Sequence, residues 1–331
     1  MKKVLVLLLT LTLVFCMFAC GDKEQQVEEN GWKVPSSFTF QASADVGSGF
    51  DTSARAFAKG FADTGIVTQP IKITNVAGGA GAVGFAQFGK NEVGKDDILC
   101  AISGGSSTAS IINQWEFTPT DFTPVAIMIK DFSACATAPD NPKTTDLATV
   151  VAAMQKDPTS VVWGGSAPPD LDYLANVMFF NEIGVDVAKV EYVTYDDGGE
   201  LIPALMGHHI DCAFSGVGEY GQYVESNTLK ILGVASMNRL SGTYANCPTF
   251  AEQGYSFEMC AYRGMAGPVD MPKEALEWWQ DKFEQLAKTK EFQDICAGYS
   301  WTVDCVTDGI DKYLTDYRDN CLDAMRSAGV Y

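Results

Sequence analysis

Three observations predict an α/β fold. A strand-like run, a glycine-containing loop and a helical pattern recur in that order in six units along the chain. The units are irregularly spaced and their helices differ, which excludes a solenoid of true repeats. Roughly 300 residues remain after an N-terminal leader, enough for two ordinary domains or one large one with a substantial core.

The first unit is FTFQA at 38–42, the loop SADVGSGFD, and a helix carrying Ala54, Phe57, Ala58 and Phe61 at i, i+3, i+4 and i+7. The second is IKITNV, then AGGAG, then a helix with Ala82, Val83, Phe85 and Ala86. The third is ILCAIS before GGSST. VVWGG with SAPPD, VEYVTY with DDGGE, and IDCAFSG with VGEYG complete the series. Near the C-terminus a helix is expected over 275–295, stopped at Gly298.

The chain opens Met1-Lys2-Lys3 and runs from 4 to 19 without a charged residue, so residues 1–19 are a secretory signal peptide, too short and too early to be a membrane-spanning domain. Met17-Phe18-Ala19-Cys20 resembles the bacterial lipobox, in which the cysteine is lipidated and becomes the mature N-terminus. Met17 stands where leucine is usual, leaving simple signal cleavage as the alternative. Residues 20–31 are almost devoid of apolar side chains and suit a lipidated tether. The product is expected outside the cytoplasm, anchored by lipid to a bacterial membrane.

Against 23 basic residues stand 42 acidic ones, a formal net charge of −19. Nucleic acid and anionic membrane surfaces are therefore excluded as partners. Of the 10 cysteines, Cys100, Cys135 and Cys212 sit in apolar runs, where cysteine acts as a small buried hydrophobe. Cys296 and Cys305 flank the expected helix stop, and a disulfide between them is expected. No C-x-x-C occurs and only His208 and His209 supply imidazole, so no metal site is indicated.

Residues 79–84 spell G-x-G-x-x-G after a strand-like run and before a helix, the local context of a dinucleotide fingerprint. A Rossmann unit also needs an acid at the end of the next strand, roughly 20 residues on. Asp96 and Asp97 precede that strand, which ends in Ser103-Gly104-Gly105. The carboxylates are at the wrong end, and no cofactor is implied.

In open α/β sheets the loops after the strands gather along one edge, where ligands bind. Each following helix presents unpaired N–H groups and a positive dipole end there, so a carboxylate is the natural guest. Ser43, Ser48, Ser103, Ser106, Ser107 and Ser166 add hydroxyl donors. The same loops carry Asp45, Asp51, Asp170, Asp196, Asp197 and Glu219, against Lys130 and Arg263 as the chief cations. A second ligand carboxylate would meet that field unfavourably. A monocarboxylate bearing an amino, amide or hydroxyl group, such as an amino acid, is expected ahead of citrate. Asp51 is the first acid to test, although it also suits a helix cap.

Several segments carry a family resemblance over nearly the whole mature chain. Asn75, Gly78, Gly81, Val83 and Gly84, then Asp121-Phe122-Thr123-Pro124-Val125-Ala126, are the first of them. Tyr195, Gly198, Gly199, the stretch Ala204-Leu205-Met206-Gly207 and Asp211 follow, with Arg239, Pro248-Thr249, Glu252 and Gly254, and finally Gly267-Pro268 and Met271-Pro272-Lys273. In these the chain resembles the extracytoplasmic solute receptors of tripartite tricarboxylate transporters, the Bug receptors. The first loop departs from the family pattern by lacking its prolines while keeping Gly47 and Gly49.

The resemblance implies a two-domain periplasmic-binding-protein (Venus flytrap) fold, type II-like, that closes on a small carboxylate in the interdomain cleft without chemistry. It implies a monomer that hands its solute to the membrane subunits of a tripartite transporter. Two crossing strands, near 125–130 and 260–264, divide the chain into domain 1, 32–130 plus 263–331, and domain 2, 131–262. Carried onto this sequence, the family's ligand loops point to Ser43, Ser48, Gly49, Asp51, Gly78, Gly79 and Gly81 on one side, with Ser166 and Gly199 opposite. Asp45, Ser103, Ser106, Lys130, Asp196 and Arg263 are added from the charge and loop argument.

An enzyme is the rival class, and the residues give it little. His208 and His209 follow Gly207 at the sheet end away from the glycine loops, no G-x-S-x-G elbow is present, and Asp196-Asp197 would diverge. A receptor serving another transporter class is the nearer alternative.

Overall fold

The computed structural model of the chain describes residues 28–29, 32–168, 170–195, 198–327 and 329. The signal peptide, Cys20 and nearly all of the tether lie outside the described residues, as do Asp196 and Asp197. Among the described residues, no helix is long and apolar enough to cross a membrane.

After the short strands β1 (Glu28–Glu29) and β2 (Trp32–Lys33), the first three units appear as β3 (Phe38–Ala42) with α1 (Gly49–Thr64), β4 (Ile71–Asn75) with α2 (Ala82–Asn91), and β5 (Ile98–Ser103) with α3 (Gly104–Ile112). The long strand β6 (Thr123–Thr137) and helix α4 (Leu147–Lys156) follow. The other three units are β7 (Trp163–Gly165) with α5 (Leu171–Glu182), β8 (Tyr192–Thr194) with α6 (Gly198–Met206), and β9 (Cys212–Gly216) with α7 (Val217–Glu225). Then come β10 (Lys230–Val234), β11 (Cys260–Gly267), α8 (Lys273–Ala287), α9 (Lys290–Gly298), β12 (Thr302–Val306) and α10 (Ile310–Ser327).

Ten strands form one curled mixed sheet in the order β4-β3-β5-β11-β6-β9-β7-β8, with β10 and β12 also paired to β6. Strands β4, β3 and β5 are mutually parallel, as are β8, β7 and β9, and every partner of β6 is antiparallel to it. Pairing along β6 changes hands at its middle: β11 pairs up to Phe132, and β9 begins at Ser133. The strand therefore belongs to both halves of a two-domain periplasmic-binding fold.

Each half has its own core. In the first lobe, Phe38, Phe57, Phe61, Trp279 and Phe283 pack together, with Phe38 and Trp279 ring centres 4.7 Å apart. In the second, Trp163, Phe179, Phe214, Phe250 and Phe257 do the same, Phe250 and Phe257 lying 4.9 Å apart. Such edge and tilted pairs add about 0.5–1.5 kcal/mol each beyond burial. Helix α10 serves both lobes. Ile310 and Leu314 enter a first-lobe cluster with Phe85 and Phe88, whereas Cys321 and Met325 enter the second-lobe core.

Two local expectations are corrected. The helix expected over 275–295 is two helices, because Thr289 caps a new start by accepting from the Phe292 N–H. The Cys296–Cys305 disulfide is absent: both are free thiols packed against the first-lobe core. Burial pushes the Cys296 thiol up to about 12, keeping it a neutral apolar group. Cys100, Cys135 and Cys212 are fully buried, as expected for small hydrophobes.

Candidate functional site

The C-terminal ends of the parallel strands of both lobes converge on the middle of β6, and a cleft opens there. Its larger cavity, about 490 Å³, is lined by Gly49, Phe50, Ser103, Gly105, Ser106, Asn113, Ser166, Asp170, Tyr195 and Arg263. A smaller one of about 160 Å³ adds Asp131, Ser133, Asp172, Gly216 and Glu219, and the two share Ser103, Gly105, Asp170 and Arg263.

The first-lobe wall is made of helix starts. Ser103 and Ser106 form a capping box on α3, with Ser106 Oγ donating to the Ser103 carbonyl at 2.6 Å and accepting from the Ser103 N–H at 3.1 Å. The cap consumes the Ser106 hydroxyl and its N–H, leaving the Ser103 hydroxyl hydrogen and the first-turn N–H groups ahead of Ser106 outside the capping box. Gly104 must be glycine for close packing, since a Cβ there would lie 2.3 Å from the Tyr317 hydroxyl of α10. Gly105 stands opposite Leu171 of α5, where a Cβ would be 3.9 Å away. Helix starts of the two lobes therefore face each other.

Arg263 of β11 forms the floor. One Nη donates to Asp131 of β6 at 3.1 Å, and the guanidinium lies 5.8 Å from the Trp301 ring centre. Its Nε is buried with no partner among the described residues. A Cβ on Gly49 would sit 2.3 Å from Arg263 Nη1, so the start of α1 lies directly on this cation.

The second-lobe wall is acidic. Asp170 caps α5, accepting from the Asp172 N–H at 3.1 Å and from Ser166 Oγ at 2.7 Å. Ser215 Oγ lies 2.7 Å from Glu219 Oε2 and 3.2 Å from Asp172 Oδ2, and its one hydrogen cannot serve both carboxylates. Desolvation, then the nearby Asp170 and Glu219 charges, hold the half-buried Asp172 well above the usual carboxylate range. Glu219 is raised as well, chiefly by desolvation, but it remains accessible at the cleft edge. Among the described residues, no group of three or more His, Cys, Asp or Glu side chains is arranged to hold a metal ion.

The sequence-derived candidates divide. Gly49, Ser103, Ser106, Ser166 and Arg263 line the cleft. Ser43 is fully buried behind it, accepting from Gln41 and touching the Gly84 position. Ser48 caps α1, and Asp45 is exposed beside it. Asp51 is 1% exposed and wholly engaged, accepting from Arg55 Nε and the Gly47 N–H at 2.8 Å each and from Asn75 Nδ2 at 3.0 Å. These bonds, that from Arg55 foremost, lower its carboxyl to about 2. Gly78, Gly79 and Gly81 take positive φ to turn the chain into α2 and do not line the cleft cavities. Gly199 lies in the first turn of α6. Lys130 points to the other side of β6, since neighbouring side chains on a strand alternate, and pairs there with Asp304 and Glu258. His208 pairs with exposed Asp140, outside the cleft. Sequence reasoning passed over Asp131, Asp172 and Phe50. A charged Lys130-Asp131 step inside a 15-residue apolar strand was the available signal for the first.

A family model for receptors of the tripartite tricarboxylate transporter family matches residues 53–304. No curated protein sequence matches the chain at a significant level. Among solved structures, a TctC solute-binding protein from Polaromonas, without ligand, superposes with a TM-score of 0.73 at 19% identity, covering 88% of this chain and 98% of that one. MatC from Rhodopseudomonas palustris with bound malate gives 0.69 at 16% identity, covering 87% and 98%. Another R. palustris protein, with adipate, gives 0.72 at 17%, covering 88% and 97%. These likenesses establish the fold, and the family match over most of the chain establishes the family. The chain belongs to the tripartite tricarboxylate transporter receptors, which are extracytoplasmic solute-binding proteins working with membrane transporter subunits and are not enzymes.

Proposed function

We propose that this receptor captures a small monocarboxylate that also carries a cationic group, an amino acid or a close relative, and delivers it to the membrane subunits of its transporter. The observation that carries the reading is the division of charge across the cleft. Arg263 and the starts of α1 and α3 offer positive potential and N–H donors on one wall. Asp131, Asp170, Asp172 and Glu219 crowd the adjoining space against that single guanidinium. A ligand carboxylate suits the first wall. A second carboxylate facing the acids would be an unpaired like charge costing several kcal/mol, whereas an ammonium group relieves the frustration around Ser215. Malate and adipate in the two R. palustris relatives support a carboxylate in this fold, and the acidic wall favours a zwitterion here.

In the same reading, domain 1 comprises 32–130 plus 263–331 and domain 2 comprises 131–262. The receptor acts as a monomer, closes around its solute, and is held to the membrane by lipid on Cys20. Calorimetric titration with amino acids, hydroxy acids, dicarboxylates and tricarboxylates tests the ligand class. Binding of zwitterions with contraction in solution scattering is expected. Tight binding of citrate with none of the amino acids would overturn the charge argument.

A further inference from the structure

Alternation along β6 gives its midpoint two faces. Asp131 and Ser133 point into the ligand cleft, while Lys130 and Phe132 point into a separate groove of about 600 Å³ on the opposite side. That groove is roomier than either cleft cavity, and no part of the solute site uses it. One wall, residues 236–242 after β10, belongs to the second lobe, and Met237 there is 49% exposed. The other wall, the end of α9 and the start of β12, belongs to the first. Lys130 spans the floor, reaching Asp304 at 3.1 Å and Glu258 at 3.5 Å. Trp301 joins the two spaces, lining the groove while its ring lies against Arg263 in the cleft.

Two lobes with their own close-packed cores move as bodies, and bending falls on the segments they share, strands β6 and β11 and helix α10, which packs into both. A rotation about β6 that narrows the space on one side of the strand widens the space on the other. Cleft and groove are reciprocal: the groove walls approach when the cleft opens and part when it shuts. We propose that the groove sets the open–closed balance of the receptor, so that bulk placed in it opposes the open form and tightens solute binding at the cleft. The proposal rests on the reading of the chain as a two-lobed solute receptor. Its energetic logic is that apparent affinity scales with the fraction of molecules in the binding-competent form.

Ala297→Trp and Asn238→Trp add bulk from opposite walls at exposed positions outside both cores. Ala297→Ser changes the first position without adding bulk. The expected results are a smaller radius of gyration for both ligand-free tryptophan variants, and about three- to tenfold tighter binding of whichever of glycine, glutamate, malate or adipate the wild type binds. Ala297→Ser is expected to match the wild type. Unchanged dimensions in both tryptophan variants, or expansion with weaker binding, would overturn the proposal. A wild type that binds none of the four probes would count against the solute reading alone, because scattering of the ligand-free variants still decides the groove.

Discussion

Asp51 in the first lobe and Asp172 in the second are both acids near the start of a helix that follows a strand, yet the fold treats them in opposite ways. Asp51 receives hydrogen bonds from Arg55, Gly47 and Asn75 and sits at about 2. Asp172 competes with Glu219 for one serine hydroxyl and is pushed upward. The first carboxylate is spent on building its loop. The second is left wanting a partner, and a polar group the fold leaves unsatisfied beside a cavity is better evidence for a ligand than a polar group in a suggestive motif.

The largest expected effect falls on the satisfied acid. Asp51→Ala removes a nearly buried carboxylate and strips three donors of their acceptor, at a cost of about 2–4 kcal/mol in chemical unfolding. Binding by molecules that remain folded should change little, since Asp51 does not line the cleft. A loss of affinity with unchanged stability would reverse the comparison.

The pH dependence separates the two acids by sign. The Asp51 carboxyl is lowered from 3.8 to about 2, so its contribution is fully present above the unfolded value and is lost as pH falls through that interval. Asp172 is raised, so its ionised form opposes folding, and protonation relieves that opposition as pH falls through its folded value. Urea midpoints measured downward from neutrality should first rise and then fall. Asp172→Asn should reduce the rise, leaving the part that Glu219 contributes, and Asp51→Asn should blunt the fall. A monotonic profile unaffected by Asp172→Asn would remove the basis for calling that acid unsatisfied.

The six strand–loop–helix units were legible because each is announced locally, by an apolar run, glycine and a helical period. Local pattern alone does not show that β6 serves two lobes, because the strand is apolar on both faces from Thr123 to Thr137 apart from the Lys130-Asp131 step, and the crossing near 125–130 follows from the family resemblance. The break between α8 and α9 was hidden similarly, as the amphipathic pattern continues through Thr289. The family resemblance assigns 263–331 to domain 1, and no sequence period encodes that Cys321 and Met325 of α10 also pack in the second-lobe core. At the site, Arg263, Gly49 and Ser103 could be anticipated from strand-end position. Asp131 and Asp172 matter through neighbours distant in sequence, among them Arg263, Ser215 and Glu219, and only the fold assembles these.

Asp172→Asn also sharpens the comparison through binding. It removes one charge from the acidic wall while keeping the shape, and should leave stability unchanged or slightly improved. Affinity for an amino acid ligand should fall by about tenfold or more, in line with the loss of one partner in a desolvated charge pair. An equal loss for malate, which has no cation to place, would show that the residue acts on cleft shape and not on charge.

The smaller of the two losses of binding is expected at Gly49, and it isolates the first-lobe wall. A methyl group there would lie 2.3 Å from Nη1, 2.9 Å from Cζ and 3.0 Å from Nη2 of Arg263, so the guanidinium has to move. What moves is the free end of a long side chain and not backbone, and alanine is the better helix residue, so Gly49→Ala should alter stability by less than about 1 kcal/mol. The displaced guanidinium loses both its place over the start of α1 and its alignment with Asp131, and affinity for a carboxylate ligand should drop severalfold. Thermodynamic coupling decides whether the effect runs through Arg263. In an Arg263→Lys background the shorter-headed cation leaves room for the methyl group, so Gly49→Ala should then cost almost nothing in binding. Full additivity of the two substitutions, measured by calorimetry on the four-member cycle, would mean that the glycine acts on the ligand directly and that the arginine is not held where the first-lobe wall needs it.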